Sequence, residues 1–152
     1  MNAQSFPLSI NVPVPSSHWD GLLACDLFAP CGTPWLAVFD GLAEPVDVPL
    51  GGYALFITAA DGFRAYYAHG SPQRVSGSVR AGQIVGYVSD SGNAQGKGCH
   101  LHFAAGRIDA GGGGTVNPRD WLAGNIPRIG TGMVSGAALL LVAIIALLLL
   151  GD

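Results

Sequence analysis

Glycine and proline interrupt this chain every few residues, and that spacing constrains its fold more than any other feature. The 23 glycines and 10 prolines are spread along 152 residues without a fixed period. Such punctuation breaks long helices but suits short strands joined by turns. Residues 53–58 and 63–69 flank Asp61-Gly62, a hairpin turn signal. Residues 35–41 read as another strand ending in a turn, and residues 46–50 as a weaker one. Residues 79–88 read as a glycine-containing turn entering a strand. Ser91-Gly92-Asn93-Ala94 then forms a turn before a strand that begins near Cys99. The expected fold is mostly β, a small antiparallel two-sheet sandwich with a groove. At this length there is room for one modest domain.

Only 11% of residues are charged, the formal charge is −3, and no basic cluster is present. This argues against nucleic acid as a partner. Gly111 to Gly114 is the one low-complexity run and reads as a flexible loop. The three cysteines, Cys25, Cys31 and Cys99, cannot all pair within one chain. A Cys25–Cys99 and a Cys31–Cys99 bridge both remain open. The absence of a Cys-x-x-Cys pair weighs against a cysteine-rich zinc site.

Cys99-His100-Leu101-His102-Phe103 carries the clearest chemistry. On a strand, side chains two apart share a face, so His100 and His102 stand side by side. One imidazole of such a pair can bind a metal while the other moves a proton beside it. The two remaining histidines are His18 and His69.

The succession Ala81-Gly82-Gln83-Ile84-Val85-Gly86-Tyr87-Val88, Ser91-Gly92-Asn93 and His100-Leu101-His102-Phe103 resembles the lysostaphin-like zinc endopeptidases of bacterial cell walls. Asp26-Leu27-Phe28-Ala29-Pro30-Cys31-Gly32-Thr33-Pro34 resembles that family's sequence around its metal-binding aspartate. Tyr67-Ala68-His69 matches the position of a further catalytic histidine. Val116-Asn117-Pro118 to Leu122 is similar to its closing segment. The resemblance runs from about Ser17 to Leu122. It implies Zn2+ held by His18, Asp26 and His102, with His100 as general base and His69 stabilising the oxyanion. The implied substrate is a peptide of peptidoglycan, cut at a stem or cross-bridge amide. The usual family spacing would put the first ligand at position 22, which here is Leu22. Asp20 is therefore an alternative ligand, and a solvated loop histidine is the plain alternative for His18.

Residues 133–150 form an apolar run without charge. As a helix, 18 residues span roughly 27 Å, close to the hydrocarbon core of a bilayer. The expected organisation is an extended arm over 1–16, the endopeptidase domain over 17–123, a linker over 124–132 and a transmembrane helix over 133–150. Residues 1–17 lack the basic start and apolar run of a secretory signal. Arg119 and Arg128 precede the apolar run and Asp152 follows it, which orients the domain to the cytosolic side. The expected setting is the virion membrane of a membrane-containing phage, with lipid and capsid proteins as neighbours and wall opening during genome entry as the task. A bacterial envelope protein with its domain outward is the rival placement. A non-catalytic wall-binding or structural membrane protein of the same fold is the rival function.

Overall fold

The structure, a computed structural model, describes residues 5–15, 18 and 22–125. In chain order the elements are β1 (Ala24–Phe28), β2 (Pro34–Leu36), β3 (Gly41–Val48), β4 (Gly52–Thr58), β5 (Arg64–Gly70), β6 (Gly77–Val79), β7 (Ile84–Tyr87), β8 (His100–Gly106) and α1 (Pro118–Asn125). Six strands form one sheet in the order β1-β8-β5-β4-β3-β6, and β2 pairs with β7 in a second. Every pairing is antiparallel. The fold is mostly β, as its turn punctuation requires.

Alternation along the large sheet sorts side chains onto two faces. Cys25 and Leu27, Leu55 and Ile57, Tyr67, and Leu101 and Phe103 are fully buried on the inner face. Trp35 and Val85 of the small sheet join the same core, with the Trp35 and Tyr67 rings 5.6 Å apart. Gly86 admits that indole, because a Cβ there would lie 2.7 Å from the Trp35 ring. Trp121 of α1 closes one end, stacking on Phe63 and Phe103 at 5.5 and 6.3 Å. The N-terminal arm contributes too. Leu8 is buried and bridges to Trp35, and the Leu36 N–H donates to the Pro7 carbonyl at 2.8 Å.

Two strand expectations need correcting. The strand expected over residues 35–41 ends at Leu36, because the Tyr67 hydroxyl intervenes. It donates to the Leu36 carbonyl at 2.9 Å and accepts from the Val38 N–H at 3.1 Å, while Ala37 between them keeps backbone bonds to Gln83 and Gly82. The weak strand expected over 46–50 starts earlier, at Gly41, and includes Pro45. Its neighbour β6 pairs only with residues 41–43, so Pro45 sits where β3 has become an edge and no ladder donor is needed.

The Asp61-Gly62 turn forms as expected, with the Asp61 carboxylate accepting from the Phe63 N–H and Gly62 at φ 82°. Of the two open cysteine pairings, Cys31–Cys99 is the one present, with Cα atoms 5.3 Å apart; Cys25 is free and buried in the core. Among the described residues no helix is long and apolar enough to cross a membrane. The apolar run 133–150 and Asp20 lie outside the described residues.

Candidate metal centre and its groove

The outer face of the large sheet is a groove of about 850 Å³. Antiparallel register places Asp26 directly opposite His102, and Phe28 opposite His100, across the β1–β8 pair. Both histidines and Asp26 therefore share this face. His18 reaches the same point from outside the sheet, its Nε2 3.2 Å from Asp26 Oδ2. His102 Nδ1 lies 3.0 Å from Asp26 Oδ1. One ligand atom from each of His18, Asp26 and His102 lies within 4.8 Å of the other two. Adjacent ligand atoms around a tetrahedral zinc stand about 3.3 Å apart at bond lengths near 2.05 Å, so the donor set fits such an ion. The long interval between His18 and Asp26 does not keep the imidazole away. Leu22 instead lines the groove wall.

Hydrogen bonds determine which ring nitrogen each histidine presents. A carbonyl only accepts, so a ring nitrogen facing one must carry the proton. His102 Nε2 donates to the Gly112 carbonyl at 3.0 Å, so Nδ1, which faces the Asp26 carboxylate, is the position that a proton or a cation can occupy. His100 Nδ1 donates to the Gly98 carbonyl at 2.9 Å, leaving Nε2 3.9 Å from Asp26 Oδ1. His69 Nδ1 donates to the Ser91 carbonyl at 2.9 Å, which also leaves Nε2 unprotonated. The His69 ring lies 4.8 Å from that of His100 and 5.9 Å from that of His102.

His69 reaches this face by an irregularity. Its neighbours Tyr67 and Ala65 point into the core, so strict alternation would send it inward too. Instead the β4–β5 register shifts by one residue between Tyr53 and Leu55, and His69 takes φ 65°. This bulge turns the imidazole into the groove.

Burial governs the electrostatics. It pushes the His69 imidazole down to about 4, and the nearby His100 and His102 act in the same direction against the Ser91 bond and Asp26. Burial also works to raise Asp26. Protonated His102, with its Nδ1–H donating to Asp26, and the charges of protonated His102, His18 and His100 outweigh it and hold the carboxyl below its usual range; a bound cation would take the place of those protons. A carboxylate and neutral imidazoles are the ionisation states that a cation requires.

All five residues singled out in the sequence, His18, Asp26, His69, His100 and His102, thus meet in one groove. The carbonyls that orient them, from Ser91, Gly98 and Gly112, were not foreseen. Backbone acceptors leave no residue-type signature, although Ser91 and Gly112 fall in turns rich in glycine.

A β fold with a His/Asp/His cluster lining a groove is the build of a metallopeptidase domain. The profile described as Peptidase family M23 matches residues 21–118, and the chain belongs to that family. The match begins three residues after His18. The chain is 40% identical over 96 residues to the DD-carboxypeptidase/endopeptidase Mpg of Neisseria meningitidis serogroup B, an alignment covering 61% of this chain and 21% of that protein. It therefore spans about a fifth of the length of the curated relatives it matches. Among solved structures, a catalytic-domain mutant of the prophage-encoded M23 protein EnpA from Enterococcus faecalis superposes with TM-score 0.57 at 33% identity, covering 77% of this chain and 95% of that one. The catalytic domain of lysostaphin from Staphylococcus simulans gives TM-score 0.57 at 26% identity, covering 81% and 90%.

Proposed function

We propose that the chain is a zinc-dependent endopeptidase that hydrolyses amide bonds in the peptide part of peptidoglycan. The convergence of His18, Asp26 and His102, with two further imidazoles beside them, carries this reading. Its family membership and likeness to Mpg and lysostaphin support the substrate class. A zinc ion held by these three residues would supply Lewis acidity for the attacked carbonyl and lower the pKa of a coordinated water toward about 7.

The remaining work falls to the chain's own groups. With Nδ1–H held by Gly98, the neutral His100 ring presents Nε2 toward Asp26, so it is placed to accept the proton of the attacking water and return it to the leaving amine. His69 is neutral at pH 7 with its own Nε2 free, so it accepts a hydrogen bond first. It donates to a developing oxyanion only after taking up a proton, which qualifies the simple donor role that the resemblance implies. Phe28, Leu50 and Val48 wall the groove and leave it mostly apolar around the reacting point.

Residues 133–150 are apolar enough to tether this domain to a bilayer, and EnpA offers a prophage-encoded relative. We therefore extend the proposal to a membrane-anchored lytic enzyme of a membrane-containing phage, with the virion membrane and capsid as its surroundings. The enzymatic part is tested on purified full-length chain by elemental analysis and by soluble fragments released from isolated sacculi. About one zinc per chain and zinc-dependent release are expected. A folded protein that binds no zinc and releases nothing is instead a non-catalytic wall-binding module. The anchor is tested separately by flotation with lipid vesicles of the full chain against a chain ending at residue 125.

A further inference from the structure

The glycine run after β8 does more than connect. Asp109 Oδ1 accepts from the Gly111 and Gly113 N–H groups at 2.8 and 2.9 Å. Its own N–H donates to the Gly113 carbonyl at 2.9 Å, and the Gly112 N–H returns to the Asp109 carbonyl at 3.1 Å. These four bonds close residues 109–113 into a tight ring, so the loop expected to be flexible is tied down. Further on, the Gly114 N–H donates to the Leu23 carbonyl at 2.9 Å, just before β1. The Gly112 carbonyl, which the ring itself does not use, accepts from His102 Nε2 at 3.0 Å. Gly112 has φ 84°, and a Cβ there would lie 3.1 Å from the Tyr66 ring and 3.4 Å from His102 Nε2. Only glycine brings its carbonyl this close in this conformation.

We propose that Asp109 is a positioning residue for the metal centre: by folding the glycine ring it aims the Gly112 carbonyl at His102 and keeps the proton on Nε2. His102 then offers Nδ1, the nitrogen 3.0 Å from Asp26, to the cation. Partners of this kind fix the tautomer and orientation of a ligating imidazole, and losing one weakens metal binding by about 10- to 100-fold. Asp109 acts through the backbone and touches no reacting atom. The inference rests on the zinc reading above.

The test measures zinc affinity of the full-length chain by chelator competition, and the protonation of the His102 ring nitrogens by 15N NMR. D109A, which loses the acceptor, is expected to bind zinc about 10- to 100-fold more weakly. It should also show His102 no longer held as a single Nε2–H species. D109N retains a side-chain oxygen for both N–H groups and is expected to bind like wild type. R107A changes an exposed side chain at the start of the same loop and is expected to change neither readout. D109A binding at wild-type affinity would overturn the proposal while leaving the zinc reading intact. So would D109N as weak as D109A, because the carboxylate would then be acting by its charge at a distance. If D109A does not fold, the wild-type spectrum decides. A zinc-loaded His102 protonated on Nδ1 would refute the assignment, and Nε2–H hydrogen-bonded to Gly112 would support it. Wild-type protein that binds no zinc defeats the metal reading itself, and this inference with it.

Discussion

Two kinds of backbone deliver side chains to the groove, and they differ in what holds them. Asp26, His100 and His102 stand on paired strands, where register alone brings a carboxylate opposite an imidazole. His69 stands on a bulge in a left-handed conformation, and the Gly112 carbonyl that orients His102 comes from a loop closed on itself. Strand positions inherit their precision from a core that includes Leu27, Leu101 and Phe103 on the other face of the same strands. The irregular positions depend on a few local hydrogen bonds. On the proposed reading, the metal would be held chiefly on the rigid element, while proton handling would be shared with the part that is strained.

The sharpest way to break this division is to remove the strand-borne imidazoles one at a time. His102→Ala is expected to abolish stoichiometric zinc binding. His100→Ala, on the same face two residues away, should retain zinc yet lower kcat by about 10²- to 10⁴-fold, as loss of a general base does. Metal analysis beside a sacculus-release assay separates the two. If His100→Ala also lost its zinc, the separation of ligand from base would be wrong, and the strand pair would act as one metal-binding unit.

A somewhat smaller effect is expected from pH, and it belongs to the irregular side. Burial leaves His69 with a folded-state pKa of about 4, against about 6.5 in the unfolded chain. Between those values the unfolded state holds the extra proton, so stability is complete above pH 6.5 and declines as pH falls toward 4. The decline amounts to roughly 3 kcal/mol at most. Denaturant melts of metal-free protein at pH 7, 5.5 and 4 measure it. His69→Asn should flatten the slope within that window, whereas the depressed pKa of Asp26 adds a loss in the same direction only at lower pH. An unchanged slope in His69→Asn would assign the acid sensitivity elsewhere.

The same division explains what was legible in the residues themselves. Period-two alternation predicts that His100 and His102 share a face, and a turn signal such as Asp61-Gly62 predicts where a strand reverses. Both are local rules, and both hold here. Alternation fails at His69, because it would point that ring into the core beside Tyr67. Only the resemblance to a family marked it. It fails again at Val38, whose N–H turns to a tyrosine hydroxyl from a strand distant in sequence. The reach of His18 across a long interval, and the service of a glycine ring to a distant imidazole, depend on tertiary contacts that no local period encodes. The glycine run illustrates the point, since composition reads as freedom while Asp109 at its head closes it.

The smallest predicted effect tests the contrast most directly, because it reverses sign between two histidines. Glycine in a regular strand is less stable than alanine by roughly 0.5–1 kcal/mol, since it surrenders more conformational freedom on folding. At His100, within β8, His100→Gly is therefore expected to be less stable than His100→Ala. At His69 the backbone sits at φ 65°, where a Cβ costs roughly 1–2 kcal/mol and glycine pays nothing. His69→Gly should accordingly be more stable than His69→Ala by about 1 kcal/mol, once the opposing entropy of glycine is deducted. Comparing glycine with alanine at one site cancels the loss of the imidazole and its bond to Ser91, so the difference reports the backbone. Urea melts of the four variants at pH 7 in chelator provide the measurement. Alanine more stable than glycine at both positions would mean that His69 is held no differently from a strand residue. The separation between rigid and strained halves of the groove would then disappear.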